Sequence, residues 1–139
     1  MPNKKIEIDP QRSAIMRAVP RSNSSPEIAA RKILHGLGLR FRLHRRELPG
    51  TPDIVLVRHR TVVFVHGCFW HRHRGCKKAT TPKNRAEFWA EKFKRNVERD
   101  ASNEALLVSE GWRVLTIWEC ETSDTESLRK QLRKLFPRR

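Results

Sequence analysis

The sequence predicts a single α/β domain, and three observations predict it. Two β-branched runs, Asp53–Arg58 (DIVLVR) and Thr61–His66 (TVVFVH), lie close enough to form an antiparallel hairpin, and a third apolar run, Trp112–Trp118 (WRVLTIW), follows much later. Segments of helical period stand before, between and after these runs, so the expected order is α, three strands, α, strand, α. At 139 residues the chain has the size of one compact domain with a real core, and it contains no internal repeat or long linker.

Residues 1–23 are polar and basic, with Lys4, Lys5, Arg12, Arg17 and Arg21 and only a short helical hint around Ala14–Val19. They read as a basic arm, either solvated or in contact with nucleic acid. The folded domain is placed at 24–139. Ser25-Pro26-Glu27 supplies an N-cap, a proline at the first helical position and an acid in the first turn. Ile28, Ala29, Ile33, Leu34 and Leu37 form one apolar face, and Gly36 or Gly38 ends the helix. Arg40–His44 alternates polar and apolar as a strand does, and Pro49-Gly50-Thr51-Pro52 is a turn. In the hairpin, alternation sets Val63, Val65 and Gly67 on one face and Val62, Phe64 and His66 on the other. Asn84–Gly111 reads as one long helix with Phe88, Phe93, Val97 and Val108 inward, and Ala101-Ser102-Asn103 is where any break would fall. Trp112–Trp118 is apolar almost throughout, as in a sheet interior, with both tryptophans in the core. Leu128, Leu132 and Leu135 mark a last amphipathic helix.

Lys and Arg number 30 against 15 acids, giving a net charge of +15 and a pI near 11.0. Such a charge points to a polyanionic partner, with an anionic membrane surface as the rival. The chain has no 18-residue apolar run, and MPNKKIEIDP lacks the apolar stretch of a secretory signal, so a cytoplasmic protein is expected. Three cysteines cannot all pair within the chain, and interleaved histidines favour metal over a disulfide framework.

The chemistry concentrates in residues 49–76, PGTPDIVLVRHRTVVFVHGCFWHRHRGC. Cys68, His73 and Cys76 come from one tight loop and Cys120 lies just past the last strand. Together they make a thiolate and imidazole set suited to a closed, structural Zn²⁺ site that would tie loop to sheet. The alternative is that the cysteines are simply buried. Asp53, opening a strand after a proline, could bind a hard cation such as Mg²⁺, although a strand-end acid is commonly structural. His71 with Asp100 has the makings of a general base and its orienting carboxylate, a pairing that sequence separation cannot establish. Phe69, Trp70 and Trp89 sit in a strongly basic context, where apolar rings could wedge between base pairs or could equally be core.

With PGTPD before it and EFWAEKFKRNVERD after it, HGCFWH resembles the very short patch repair (Vsr) endonucleases, and the likeness runs in one order from about Arg12 to Cys120. The resemblance implies a restriction-endonuclease-like fold of the PD-D/E-x-K superfamily, a mixed central sheet flanked by helices and modified around a structural zinc. It implies a monomeric enzyme that nicks one strand of double-stranded DNA beside the thymine of a T·G mismatch left by 5-methylcytosine deamination. Helper proteins of mismatch repair are left open. Carried onto this chain, it makes Asp53 the Mg²⁺-binding carboxylate, with the Val65 main-chain carbonyl as a further contact. His66 acts near the scissile phosphate, His71 is the general base supported by Asp100, and Glu27 lies near the active site. Cys68, His73, Cys76 and Cys120 match the zinc ligands, and Phe69, Trp70 and Trp89 match an intercalating wedge. Arg12, Arg17 and Arg21 are expected on the DNA backbone. Two positions depart from the family pattern: Val65 stands where a threonine precedes the histidine, and His73-Arg74-Gly75-Cys76 is one residue longer between ligands. A restriction-type endonuclease of the same superfamily and a non-catalytic zinc-stabilised DNA-binding module are the competing readings.

Overall fold

The computed structural model describes residues 24–77, 79–80 and 82–137; the expected basic arm, with Arg12, Arg17 and Arg21, lies outside them. The first helix, α1, spans Ser25–Gly36. Its cap is Ser24, one residue earlier than expected, whose side chain accepts a hydrogen bond from the Glu27 N–H at 3.4 Å. Gly38, at φ +84°, closes the other end, where the Leu39 N–H bonds back to the Leu34 carbonyl. Ile33 and Leu34 are buried as expected, but Ala30 and Glu27 join them where Ala29 and Leu37 were expected; those two are half-buried and Ile28 turns outward.

Four strands follow: β1 (Arg42–Leu43), β2 (Ile54–Leu56), β3 (Thr61–His66) and β4 (Arg113–Trp118). They form a sheet in the order β1-β2-β3-β4, antiparallel at the first two pairings and parallel between β3 and β4. The sheet is therefore mixed, because the long crossover from β3 to β4 through a helix returns the chain in the same direction. Two expected strands are shorter than their sequence pattern. His44, at φ +50°, ends β1, and β2 gives way at Val57–His59 to a 3₁₀ turn closed by Arg60 at φ +50°. A two-residue His-Arg turn of type I′ would need two positive φ values, and one of type II′ a glycine-like first residue; the 3₁₀ connection instead needs one positive φ, at Arg60.

The crossover helix, α2, runs unbroken over Ala86–Ser109, and α3 spans Thr125–Leu135, capped by Asp124. The helices cover both faces of the sheet. Ile54, Leu56, Val63 and Ile117 pack with α1 and with Leu128, Leu132 and Phe136 around α3. Val55 and Val62 pack with Leu107 of α2, beside Phe64 and Val114. Val62, Val63, Phe64 and Val65 thus take the alternating faces expected of them.

Several expected core residues lie elsewhere. Val97 and Val108 are exposed, and the inward stripe of α2 is Trp89, Phe93, Asn96, Asp100, Asn103 and Leu107. The middle of that stripe faces the polar cleft described below, so its residues are polar and hydropathy alone misplaces the face. Trp112 and Trp118 are half-buried: β4 has only β3 beside it among the described residues, Arg60 covers Trp112, and Trp118 lies against His73.

Candidate active site and metal centre

The carboxyl ends of the parallel pair β3 and β4 carry the site. A cleft of about 220 Å³ opens there, lined by Asp53, Val65, His66, His71, Asp100 and Asn103 among others. The Pro49–Pro52 turn delivers Asp53 into it, with Gly50 at φ +76° and so close to Asn103 of α2 that a Cβ would stand 3.0 Å from its side-chain nitrogen.

Asp53 Oδ2 accepts the Val65 N–H at 2.7 Å, so the first residue before β2 is fixed to the end of β3. Burial is the main cause that pushes the Asp53 carboxyl up to about 6, and the nearby Glu27 adds to it, against the opposing pull of the Val65 hydrogen bond. A part-buried carboxylate raised in this way fits a divalent cation, which would restore its ionised form. The Val65 residue itself lines the same cleft, and neither feature needs a hydroxyl at that position.

His66 and His71 stack face to face, with centroids 3.8 Å apart and planes within 5°. The turn that brings them together is held by the His71 N–H on the Gly67 carbonyl at 3.1 Å. Burial, followed by the His71 charge, lowers the His66 pKa to about 4, so its ring is neutral at physiological pH. His71 Nδ1 stands 2.6 Å from Asp100 Oδ2. That pairing fixes the proton on Nδ1 and presents Nε2 as the basic nitrogen. The sequence could not give this contact, which joins residues 29 positions apart from a loop and the middle of α2.

Glu27 is 2 % exposed in the first turn of α1, bonded by the Arg31 guanidinium and by His44 Nε2, the latter at 2.6 Å. Glu27, His44 and Asp53 form one cluster whose ligand-type atoms lie within 4.8 Å of one another. His44 was not among the expected site residues. Its strand pattern gave no hint of a role, and only the fold brings it against α1.

The second cluster joins Cys68, His73, Cys76 and Cys120, again with ligand-type atoms within 4.8 Å of one another. His73 Nδ1 lies 3.6 Å from Cys68 Sγ and 3.4 Å from Cys120 Sγ. In a tetrahedral shell with Zn–S about 2.3 Å and Zn–N about 2.1 Å, sulfur and nitrogen stand about 3.6 Å apart, so this donor set fits zinc in chemistry and spacing. Burial pushes the Cys68 thiol up to about 12, and the neighbouring Cys120 and Cys76 thiols add to the rise. Between His73 and Cys76, Gly75 turns the loop at φ +75°, and the Cys76 N–H closes the turn on the His73 carbonyl at 3.2 Å. The His73 ring stacks on Trp118 at 4.3 Å, which ties the cluster to the end of β4.

Between the two clusters the chain projects Phe69 and Trp70, both half-buried and edge-to-face at 5.0 Å. Trp89, expected to stand with them, is only 2 % exposed, and it packs beneath both rings and beside Phe93. Its position on the inward stripe of α2 buries it, so in this structure it forms the floor under the projecting pair. Arg72, at φ +54°, was missed by the sequence reading. Its guanidinium donates to the carbonyls of Phe69, Ala79 and Thr80 and lies 4.0 Å over Phe93, which clamps the aromatic loop. Asn96 donates to the Trp70 carbonyl at 3.3 Å.

Comparison with known proteins places the chain among its relatives. The sequence model of the family described as DNA mismatch endonuclease Vsr matches residues 6–78. The type II nicking enzyme V.XorIIP of Xanthomonas oryzae is 50% identical over 126 residues, covering 91% of this chain and 92% of the relative. The type II nicking enzyme V.NmeAIP of Neisseria meningitidis is 41% identical over 125 residues, covering 90% of this chain and 89% of the relative. The DNA mismatch endonuclease Vsr of Escherichia coli is 44% identical over 117 residues, covering 84% of this chain and 74% of the relative. This α/β chain is accordingly a DNA endonuclease by class. More particularly, the chain belongs to the DNA mismatch endonuclease Vsr family.

Proposed function

We propose that this protein is a cytoplasmic, monomeric mismatch endonuclease. It nicks one strand of duplex DNA beside the thymine of a T·G pair left by 5-methylcytosine deamination, in a Mg²⁺-dependent reaction that opens very short patch repair. The observation that carries the reading is the His71–Asp100 pair at 2.6 Å in the same cleft as the part-buried carboxylate of Asp53. A divalent cation held by Asp53 and the Val65 carbonyl would supply Lewis-acid polarisation of the phosphate. His71 Nε2 takes the proton of the attacking water, and Asp100 stabilises the imidazolium that forms. His66, neutral and stacked on His71, faces the phosphate as a hydrogen-bonding group and walls that side of the cleft. Cys68, His73, Cys76 and Cys120 would hold a structural zinc that ties the loop to the end of β4.

Recognition falls to Phe69 and Trp70, which project next to the cleft and would enter the stack at the mismatch, where a wobble pair is cheaper to open than a matched one. The surplus of cationic side chains supplies affinity for the phosphate backbone without reading sequence.

The test is a nicking assay on end-labelled duplexes, one matched and the others with each mismatch, with and without Mg²⁺. A single nick confined to the thymine strand of the T·G duplex is expected, and His71→Ala should slow it by roughly 10²–10⁴-fold, the usual share of a general base. Cutting of both strands of the matched duplex would instead favour a restriction-type endonuclease, and binding without any nicking would favour a DNA-binding module.

A further inference from the structure

His44 lies outside every role assigned so far, yet it touches two of the residues that matter most. It directly follows β1, and its left-handed backbone, φ +50°, turns the chain away from the sheet. Its N–H donates to the Asp53 carbonyl oxygen at 3.1 Å, which anchors the main chain of the carboxylate residue at the mouth of β2. Its ring reaches the other way, to α1, where Nε2 meets Glu27 Oε2 at 2.6 Å. The Arg31 guanidinium bonds the same oxygen, so two donors converge on Oε2 and fix the rotation of the Glu27 carboxylate. The histidine side chain is 30% exposed and the Glu27 side chain 3% exposed, so the bond spans from the wetter edge of the site to its interior. A carboxylate that deep is held in one orientation by whatever donates to it.

We propose that His44 is a positioning residue of the active site. By bonding Glu27 through its ring and Asp53 through its backbone, it fixes the two carboxylates relative to each other as a preformed cradle for a divalent cation. The backbone half of this work is open to any residue, whereas the Glu27 half needs a side chain with a donor where Nε2 stands. The proposal rests on the reading that Asp53 binds the catalytic cation, and it extends that reading to the residues behind it.

The test compares His44→Leu, which keeps volume without a donor, with His44→Gln, whose amide nitrogen can stand in for Nε2. Both variants share the same left-handed backbone cost, so the comparison isolates the side chain. Mn²⁺ binding to the full chain, freed of loosely held divalent ions, is measured by the paramagnetic resonance of unbound Mn²⁺, alongside the Mg²⁺ concentration for half-maximal nicking. Folding is checked by thermal melting, and Asp53→Ala serves as the control. His44→Leu is expected to weaken Mn²⁺ binding by roughly 10–100-fold, the usual cost of losing a group that orients a metal ligand, with a parallel rise in the Mg²⁺ requirement. His44→Gln is expected to stay close to the parent in both. Parent-like Mn²⁺ binding by His44→Leu, with binding lost in Asp53→Ala, would overturn the positioning role and leave the metal reading standing. Undiminished binding in His44→Leu and Asp53→Ala alike would overturn the metal reading and this proposal with it. Equal losses in folded His44→Leu and His44→Gln would overturn the hydrogen bond as the cause.

Discussion

Asp53 and His66 are held in protonation states that burial disfavours leaving, and their effects on stability run in opposite directions. The Asp53 carboxyl moves from 3.8 to about 6, so between those values the folded chain keeps a proton that the unfolded chain has released. The stability this group contributes is fully present below about 3.8 and is lost as pH rises through about 6. His66 moves from 6.5 down to about 4, so over that range the unfolded chain holds the extra proton, and stability falls as pH drops. With divalent ions removed, Asp53→Asn should therefore melt higher than the parent at pH 7, by roughly 1–2 kcal/mol, because an ionised buried group has been replaced by a neutral one. Its stability should also rise with pH between 4 and 6 more steeply than the parent's, since only the His66 effect is left. The same variant should not nick T·G duplex. Thermal melts from pH 4 to 7.5 test the sign, and a variant less stable than the parent at neutral pH would refute it. His44, Arg72 and Asn96 act at this scale too. Each is one hydrogen bond away from a residue whose importance the sequence did suggest, and nothing in local composition marks them.

The instructive element is α2. Read for hydropathy, it offers Phe88, Phe93, Val97 and Val108 as its inner side, yet its buried stripe runs Trp89, Phe93 and Leu107 with Asn96, Asp100 and Asn103 between. One helix thus supplies the floor of the aromatic loop at its first turns, the His71 partner at its middle and a core contact near its end. The spacing of three and four along these six residues was available in the sequence, but polar members hide it from any count of apolar positions. The burial of Trp89 separates it from Phe69 and Trp70 experimentally. Trp89→Ala should destabilise the chain by roughly 3–5 kcal/mol, the usual cost of emptying a large buried aromatic site. Trp70→Ala should leave the melting temperature nearly unchanged and shrink the ratio of T·G to matched DNA binding. Urea melts and binding titrations of both variants separate the roles, and a Trp89→Ala protein as stable as the parent would show that the ring is not a floor.

At the scale of the whole molecule, the stacked histidines and the Cys-His cluster hang from the carboxyl ends of one parallel strand pair. His66 closes β3 and leads directly into Gly67 and Cys68, while Trp118 closes β4 two residues before Cys120. Those ends lie side by side, with His66 in register with Trp118. Bridging the β3 loop to the β4 end through zinc would hold the His71 turn against the sheet, so loss of a ligand should be felt as stability before chemistry. Purified protein should hold about one zinc per chain, and Cys120→Ala should lower both zinc content and melting temperature, as structural sites contribute directly to folding. A zinc-free preparation that melts and nicks like the parent would rule the centre out. No helix among the described residues is long and apolar enough to cross a membrane.

By itself the sequence determined the α/β class, the order of its elements, the faces of β3 and the loop that holds Cys68, His73 and Cys76, because these depend on local period and on ligand chemistry within short stretches, whereas the structure brings Cys120 to them. The motifs also carried the family, through HGCFWH and its flanking segments. Only the tertiary structure decided that β3 and β4 are parallel neighbours, that Asp100 meets His71, that His44 reaches Glu27 and that Trp89 lies beneath the aromatic pair. Each of these joins residues far apart in the chain, and the polar contacts stand where packing brings buried donors and acceptors within hydrogen-bond reach. That satisfaction is a property of the assembled core, and neither partner's neighbours in sequence encode it.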